Sequence, residues 1–192
     1  MSQLTLNLDS VLNLNREQFY QICQDNPELK LERTATGKLI IMSPTGGETG
    51  RKNANLILQL GLWNQQTQLG EVFDSSTGFS LPNGADRSPD VAWLKKSRWE
   101  SLSQQQRETF IPLCPDFVIE LLSPTDNLKA TQAKLQEYID NSCQLAWLIN
   151  QKQKTVEIYR PHQEVEVLNQ PSSLSGENIL PNFTLDLNQI LS

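Results

Sequence analysis

The chain has 192 residues, 38% hydrophobic and 20% charged, enough to bury a core of its own without disulfides or structural metal. No charge block or low-complexity tract marks a disordered tail or linker, so one domain is expected over residues 1–192, with its core over about 15–185. The net charge of −6 and isoelectric point of about 4.8 exclude a surface that clings everywhere to nucleic acid, because such affinity comes from Lys and Arg neutralising phosphates; a local basic groove or a cation-binding acidic cluster remains compatible.

The three cysteines, Cys23, Cys114 and Cys143, are far apart and form no CxxC pair, as expected of reduced thiols in a cytoplasmic protein. The first residues lack a basic region followed by an apolar core, and no run of 18 apolar residues occurs. Neither secretion nor membrane insertion is expected.

In chain order, residues 3–8 read as extended and 15–25 as a helix, with Asn15 as N-cap and Phe19, Ile22 and Cys23 on one face. Residues 29–33 and 38–43 read as a hairpin joined at Ala35-Thr36-Gly37. After the turn Pro44-Thr45-Gly46-Gly47, a helix is expected over 48–66 with Ala54, Ile57, Leu58 and Gly61 as its apolar face and Glu48 and Arg51 in its first turns. A strand or hairpin over 71–81 ends at Pro82-Asn83-Gly84. Pro89-Asp90 then opens a mostly apolar strand to Leu94, and residues 95–113 read as helical turns and a loop.

The sequence F-V-I-E-L-L over 117–122 has the pattern of a strand buried on both faces. Glu120 within it needs a cation, a hydrogen-bond donor or a shifted pKa. A helix over 127–140 follows, capped by Thr125 or Asp126, with Leu128, Thr131, Leu135, Tyr138 and Ile139 along one side. Strands at 145–150, 155–160 and 165–168 precede a Gly-Glu-Asn turn at 176–178 and a short tail. The order predicts an α/β (α+β) fold, a mixed sheet flanked by helices.

Neighbouring strands lie about 4.8 Å apart, so Asp90 and Glu120 can share one cation if their strands are adjacent. Mg²⁺ typically takes one or two carboxylates plus substrate phosphate and water. Asp116 shares a face with Glu120, but four residues of strand separate them by about 13 Å, so Asp90 is the preferred partner. The position two residues after Glu120 is Leu122, not a lysine. Lys134 lies about 10 Å along a helix that folds back antiparallel to the strand, level with Glu120, whereas Lys129 points to the other flank. Trp93, Trp147 and Tyr138 read as core, and His162 stands alone in a loop.

Pro89-Asp90, then Glu120 in I-E-L-L-S-P, then Lys134-Leu-Gln-Glu-Tyr138 before Trp147-Leu-Ile resembles the Uma-type family of proposed restriction endonucleases, within the PD-(D/E)XK nuclease superfamily. Met42-Ser43-Pro44-Thr45-Gly46 and Leu180-Pro181-Asn182-Phe183 extend the likeness, which runs from about residue 15 to the end. The resemblance implies a restriction-endonuclease-like fold and an endonuclease that cleaves nucleic acid, with DNA as the expected partner and Mg²⁺ or Mn²⁺ as cofactor. It makes Asp90 and Glu120 the metal ligands, Lys134 a stand-in for the superfamily's strand lysine, and Glu48 an acid that completes the site. Two-strand cleavage would be simplest in a homodimer. The chain departs from the family where Thr49 replaces histidine, Ser142 glycine and Ala146 tyrosine. Those departures, the missing strand lysine and the acidic charge define the alternative, a nuclease-fold nucleic-acid-binding module with weakened catalysis. A carboxylate enzyme that uses Glu120 without metal is a further rival.

Overall fold

In the computed structural model, which describes residues 3–6 and 14–192, the first layer is built from local signals. The expected extension of residues 7 and 8 lies outside the described residues. Strand β1 (Gln3–Leu6) is followed by helix α1 (Arg16–Asp25). The Asn15 side chain accepts from the Gln18 amide while the Gln18 side chain returns to the Asn15 amide, a reciprocal cap at the expected position. Phe19 is buried, with Ile22 and Cys23 packed beside it. Strands β2 (Lys30–Arg33) and β3 (Leu39–Met42) form the expected antiparallel hairpin.

Helix α2 (Gly47–Thr67) turns only part of the expected face inward, with Ile57 packed against the core. It buries Thr49, Lys52, Leu56, Leu60 and Trp63, while Ala54 is exposed and Leu58 is 57% exposed. The buried stripe keeps helical spacing, but it starts on a threonine and a lysine whose stem alone is apolar, which masks the period in the sequence. Strands β4 (Gly70–Asp74), β5 (Phe79–Ser80) and β6 (Asp86–Arg87) follow, then β7 (Val91–Lys95) and two short helices, α3 (Lys96–Glu100) and α4 (Gln104–Glu108). Gly84, at φ +96°, closes the Pro82-Asn83-Gly84 turn in a conformation that favours glycine.

Strand β8 (Phe117–Leu122) has the expected bounds and is buried at every position. Helix α5 (Leu128–Asp140) is capped by Asn127, whose side chain accepts from the Ala130 amide, one residue beyond the expected caps. Strands β9 (Leu145–Asn150), β10 (Thr155–Tyr159) and β11 (Glu166–Asn169) complete a six-stranded sheet in the order β11-β10-β9-β8-β7-β4. β8 and β9 are parallel, joined through α5, and the remaining neighbours in that sheet are antiparallel. A second sheet has the order β1-β3-β2-β6-β5. No helix among the described residues is long and apolar enough to cross a membrane.

Strand alternation divides the core. Val91, Trp93, Phe117, Ile119, Leu121, Trp147 and Ile149 face α2 and the C-terminal segment. Ala92, Leu94, Val118, Ala146 and Leu148 face α5, and Asp90 and Glu120 share the parity of this second set. The expected short tail is structured: β12 (Ser173–Ser175) and β13 (Thr184–Asp186) pair as a two-stranded sheet. Leu180, Phe183, Leu185, Leu187 and Ile190 from this region join the core. Phe183 stacks on Trp147 at 6.4 Å between centroids and tilts against Trp63 at 5.6 Å. Short strands and scattered apolar residues carry little periodicity, so this layer was not legible as structure. Phe183→Ala is expected to lower unfolding free energy by about 3–5 kcal/mol, measured by urea denaturation.

Candidate active site

The chain crosses from one sheet to the other at residues 86–91, and this crossing sets the site. β6 pairs with β2 in the first sheet, and after Ser88-Pro89-Asp90 the chain enters β7 in the second. β7 and β8 are antiparallel with Val91 opposite Ile119. Carried one residue further, that register sets Asp90 opposite Glu120, a spacing of about 5 Å between Cβ atoms. Lys30 and Glu32 alternate along β2 and so share a face. α5 folds back from β8 and brings Lys134 and Tyr138 onto the same region.

Asp90 is 5% exposed. Its Oδ2 accepts from the Leu121 amide at 2.9 Å, and Asn53 Nδ2 approaches Oδ1 at 3.4 Å. Glu120 Oε1 meets Lys134 Nζ at 2.8 Å and accepts from the Tyr138 hydroxyl at 3.2 Å. Lys134 Nζ also meets Glu32 Oε1 at 2.7 Å, so its ammonium bridges two carboxylates and keeps one further N–H. Glu32 in turn accepts from the Ser88 amide at 2.9 Å and from Arg87 at 3.2 Å. Arg87 continues to Glu137 at 2.6 Å.

Burial pushes the Glu120 carboxyl up to about 7 despite the neighbouring Lys134 ammonium, with Asp90 and Glu32 adding to the rise. Burial opposes ionisation of Glu32 as well, but Lys134, Arg87 and the Ser88 amide outweigh it and hold the group down at about 2. For Lys134, burial works against the charge and the two carboxylates prevail, so the ammonium is strengthened. One lysine thus lies between an ionised carboxylate and one that protonates near neutrality.

Asp90, Glu120 and Lys134 line one cavity of about 30 Å³ together with Lys30, Met42, Ser88, Asp126 and Thr131. The fourth predicted residue, Glu48, is not in that lining: its carboxylate is 63% exposed and pairs with Arg51 at 2.6 Å and Lys52 at 3.6 Å. Asp116 is engaged elsewhere, accepting from the Lys95 amide and from Arg98 at 2.8 Å. Lys129 is exposed. Tyr138 is buried, as expected of a core residue, but its hydroxyl also belongs to the site. The sequence reading missed Lys30, Glu32 and Arg87: the Lys30/Glu32 alternation in β2 puts both on one face but does not distinguish it from an ordinary half-exposed strand.

The donor set fits a hard divalent cation. Asp90 and Glu120 supply carboxylate oxygens, Asp126 adds a third to the cavity wall, and the buried Oδ1 of Asn53, beside Asp90, has no hydrogen-bond donor among the described residues. No group of three or more His, Cys, Asp or Glu gathers for a metal among the described residues. Two carboxylates with other positions left to water and phosphate is the arrangement Mg²⁺ favours. The cavity has room for an ion and water, far below the several hundred Å³ typical of a small-molecule pocket.

The linkage of Glu32 has a definite sign. Its folded pKa of about 2 lies below the ordinary 4.5, so its stabilisation is complete above pH 4.5 and is lost as pH falls through about 2. Glu32→Gln is expected to lower stability by about 3 kcal/mol at neutral pH. The gap to the natural protein should narrow between pH 4.5 and 2, measured by urea unfolding across that range.

A crystal structure of a "putative nuclease belonging to DUF820" from Anabaena variabilis matches with a TM-score of 0.72 at 21% identity, covering 85% of this chain and 90% of that one. At that identity the likeness establishes the fold, the expected restriction-endonuclease-like mixed sheet flanked by helices. No curated protein matches the chain. The family model described as "Uma2: Putative restriction endonuclease" matches residues 16–188, and the chain belongs to that family.

Proposed function

We propose that this protein is a divalent-metal-dependent endonuclease that hydrolyses phosphodiester bonds, with DNA as its substrate. The observation that carries the reading is the placement of Asp90 opposite Glu120 on one small cavity, with the Lys134 ammonium 2.8 Å from Glu120. Asp90 and Glu120 would hold Mg²⁺ or Mn²⁺. A cation bound there supplies positive charge at the phosphate and lowers the pKa of a bound water from about 15.7 towards neutrality.

The chain's own residues would orient the reaction. The Leu121 amide and Asn53 fix Asp90, while Tyr138 and Lys134 fix Glu120. The remaining N–H of Lys134 would position the attacking water and stabilise negative charge as it grows on the phosphate oxygens. The water oxygen forms the new bond to phosphorus, the bond from phosphorus to one sugar oxygen breaks, and that oxygen leaves with a proton from solvent. No covalent protein intermediate is required. Two copies related by a two-fold axis would cut both strands.

Nicking of supercoiled plasmid tests this directly. The natural protein is expected to nick with Mg²⁺ or Mn²⁺ and to stop in EDTA. Glu120→Ala and Lys134→Ala, checked for folding, are expected to lose about 10²-fold or more in rate. Cleavage that survives EDTA would exclude the metal. Absence of cleavage on plasmid, single strands and RNA with either metal would favour the binding-module alternative.

A further inference from the structure

Lys30 stands in contrast to the other lysine of the cavity. Lys134 is held by two carboxylates at 2.7 and 2.8 Å. Lys30 Nζ is buried on the same cavity wall, yet among the described residues it has no hydrogen-bond partner. Burying an ammonium without an anion or acceptor is expensive, and the remaining buried cations illustrate the rule. Lys52 meets Glu48 and a main-chain oxygen, Arg33 meets Asp86, and Arg87 meets Glu32 and Glu137.

The backbone explains how Lys30 reaches the cavity. It begins β2 opposite Met42, another wall residue, and shares the strand face of Glu32, which anchors Lys134. Its residue surface is only partly buried while its nitrogen is fully so, so the stem runs from the rim inward. A compact ammonium on a flexible stem suits a phosphate oxygen, which it meets as a point charge. The cavity itself admits an ion and water rather than a nucleotide, so a phosphodiester would present only oxygen atoms at its mouth.

Building on the nuclease reading of the site, we propose that Lys30 grips a non-bridging oxygen of the scissile phosphate. Lys134 organises Glu120 from the inside; Lys30 meets the substrate from the rim. The ligand class is a phosphodiester in a nucleic-acid backbone, contacted without reference to base sequence.

The test compares the natural protein with Lys30→Met and Lys30→Arg in two assays. One is binding of a fluorescein-labelled DNA duplex with Ca²⁺ across a salt series, and the other is plasmid nicking with Mg²⁺. Lys30→Met is expected to keep or raise the melting temperature, to reduce the slope of log K against log salt by about 0.9, and to lose about 10²-fold in nicking rate. Lys30→Arg is expected to restore the slope. Unchanged slope and unchanged nicking in a folded Lys30→Met would overturn the assignment. If the natural protein binds without cutting but Lys30→Met still lowers the slope, the nuclease reading falls while the Lys30 contact stands. A natural protein that neither binds nor cuts the duplex removes both.

Discussion

The buried ammonium of Lys134, shared between Glu32 and Glu120, is the interaction on which the site depends. Glu32 belongs to the first sheet, Glu120 to the second and Lys134 to the helix between β8 and β9, so one nitrogen joins three structural layers. Removing one member would leave a charge without its partner in a region of low dielectric, where such losses cost about 3–5 kcal/mol. The link through Arg87 to Glu137 extends the constraint back onto α5. A network with so few alternative pairings fixes the positions of its members, and fixed dipoles and charges are what electrostatic catalysis requires.

The location follows from topology. Antiparallel pairing of β7 with β8 sets Asp90 and Glu120 at equal height, and the shared parity of the two residues turns both towards α5. The parallel β8–β9 connection requires a crossover helix, and that helix delivers Lys134 and Tyr138. β2 brings Lys30 and Glu32 through its pairing with β6, the strand just before the crossing. The cavity is therefore the seam between two sheets rather than a depression in one of them.

Much of this was legible in the sequence, and the exceptions have physical causes. The single acid in F-V-I-E-L-L announced Glu120, since a buried strand excludes an unpaired carboxylate, and the length of the helix behind it placed Lys134 level with that acid. Both arguments use distances within one βαβ unit. Glu32 and Lys30 escaped because K-L-E-R beside a turn has the alternation of an ordinary half-exposed strand. Nothing local reveals that Arg87, Ser88 and Lys134, more than fifty residues further on, meet Glu32 on its charged face. The buried stripe of α2 was missed for a related reason, because Thr49 and Lys52 are polar in composition but buried in place. The C-terminal hairpin failed differently: three-residue strands are too short for a period to register.

An acidic chain that handles a polyanion needs its attraction concentrated. Surface charge acts through water and is screened beyond about 8 Å at physiological ionic strength, so a net charge of −6 weakens distant encounter more than contact. At the cavity the balance differs, since Lys30 and Lys134 are withdrawn from water and their fields are less damped. Lys134 is largely neutralised by its two carboxylates, which makes it an organiser of the acids. Lys30 Nζ has no hydrogen-bond partner among the described residues, so its field would be available to an incoming phosphate. A divalent cation held by Asp90 and Glu120 would turn a wall that repels a phosphodiester into one that attracts it. The two carboxylates, which lower the isoelectric point, are then the means by which this chain would bind its substrate.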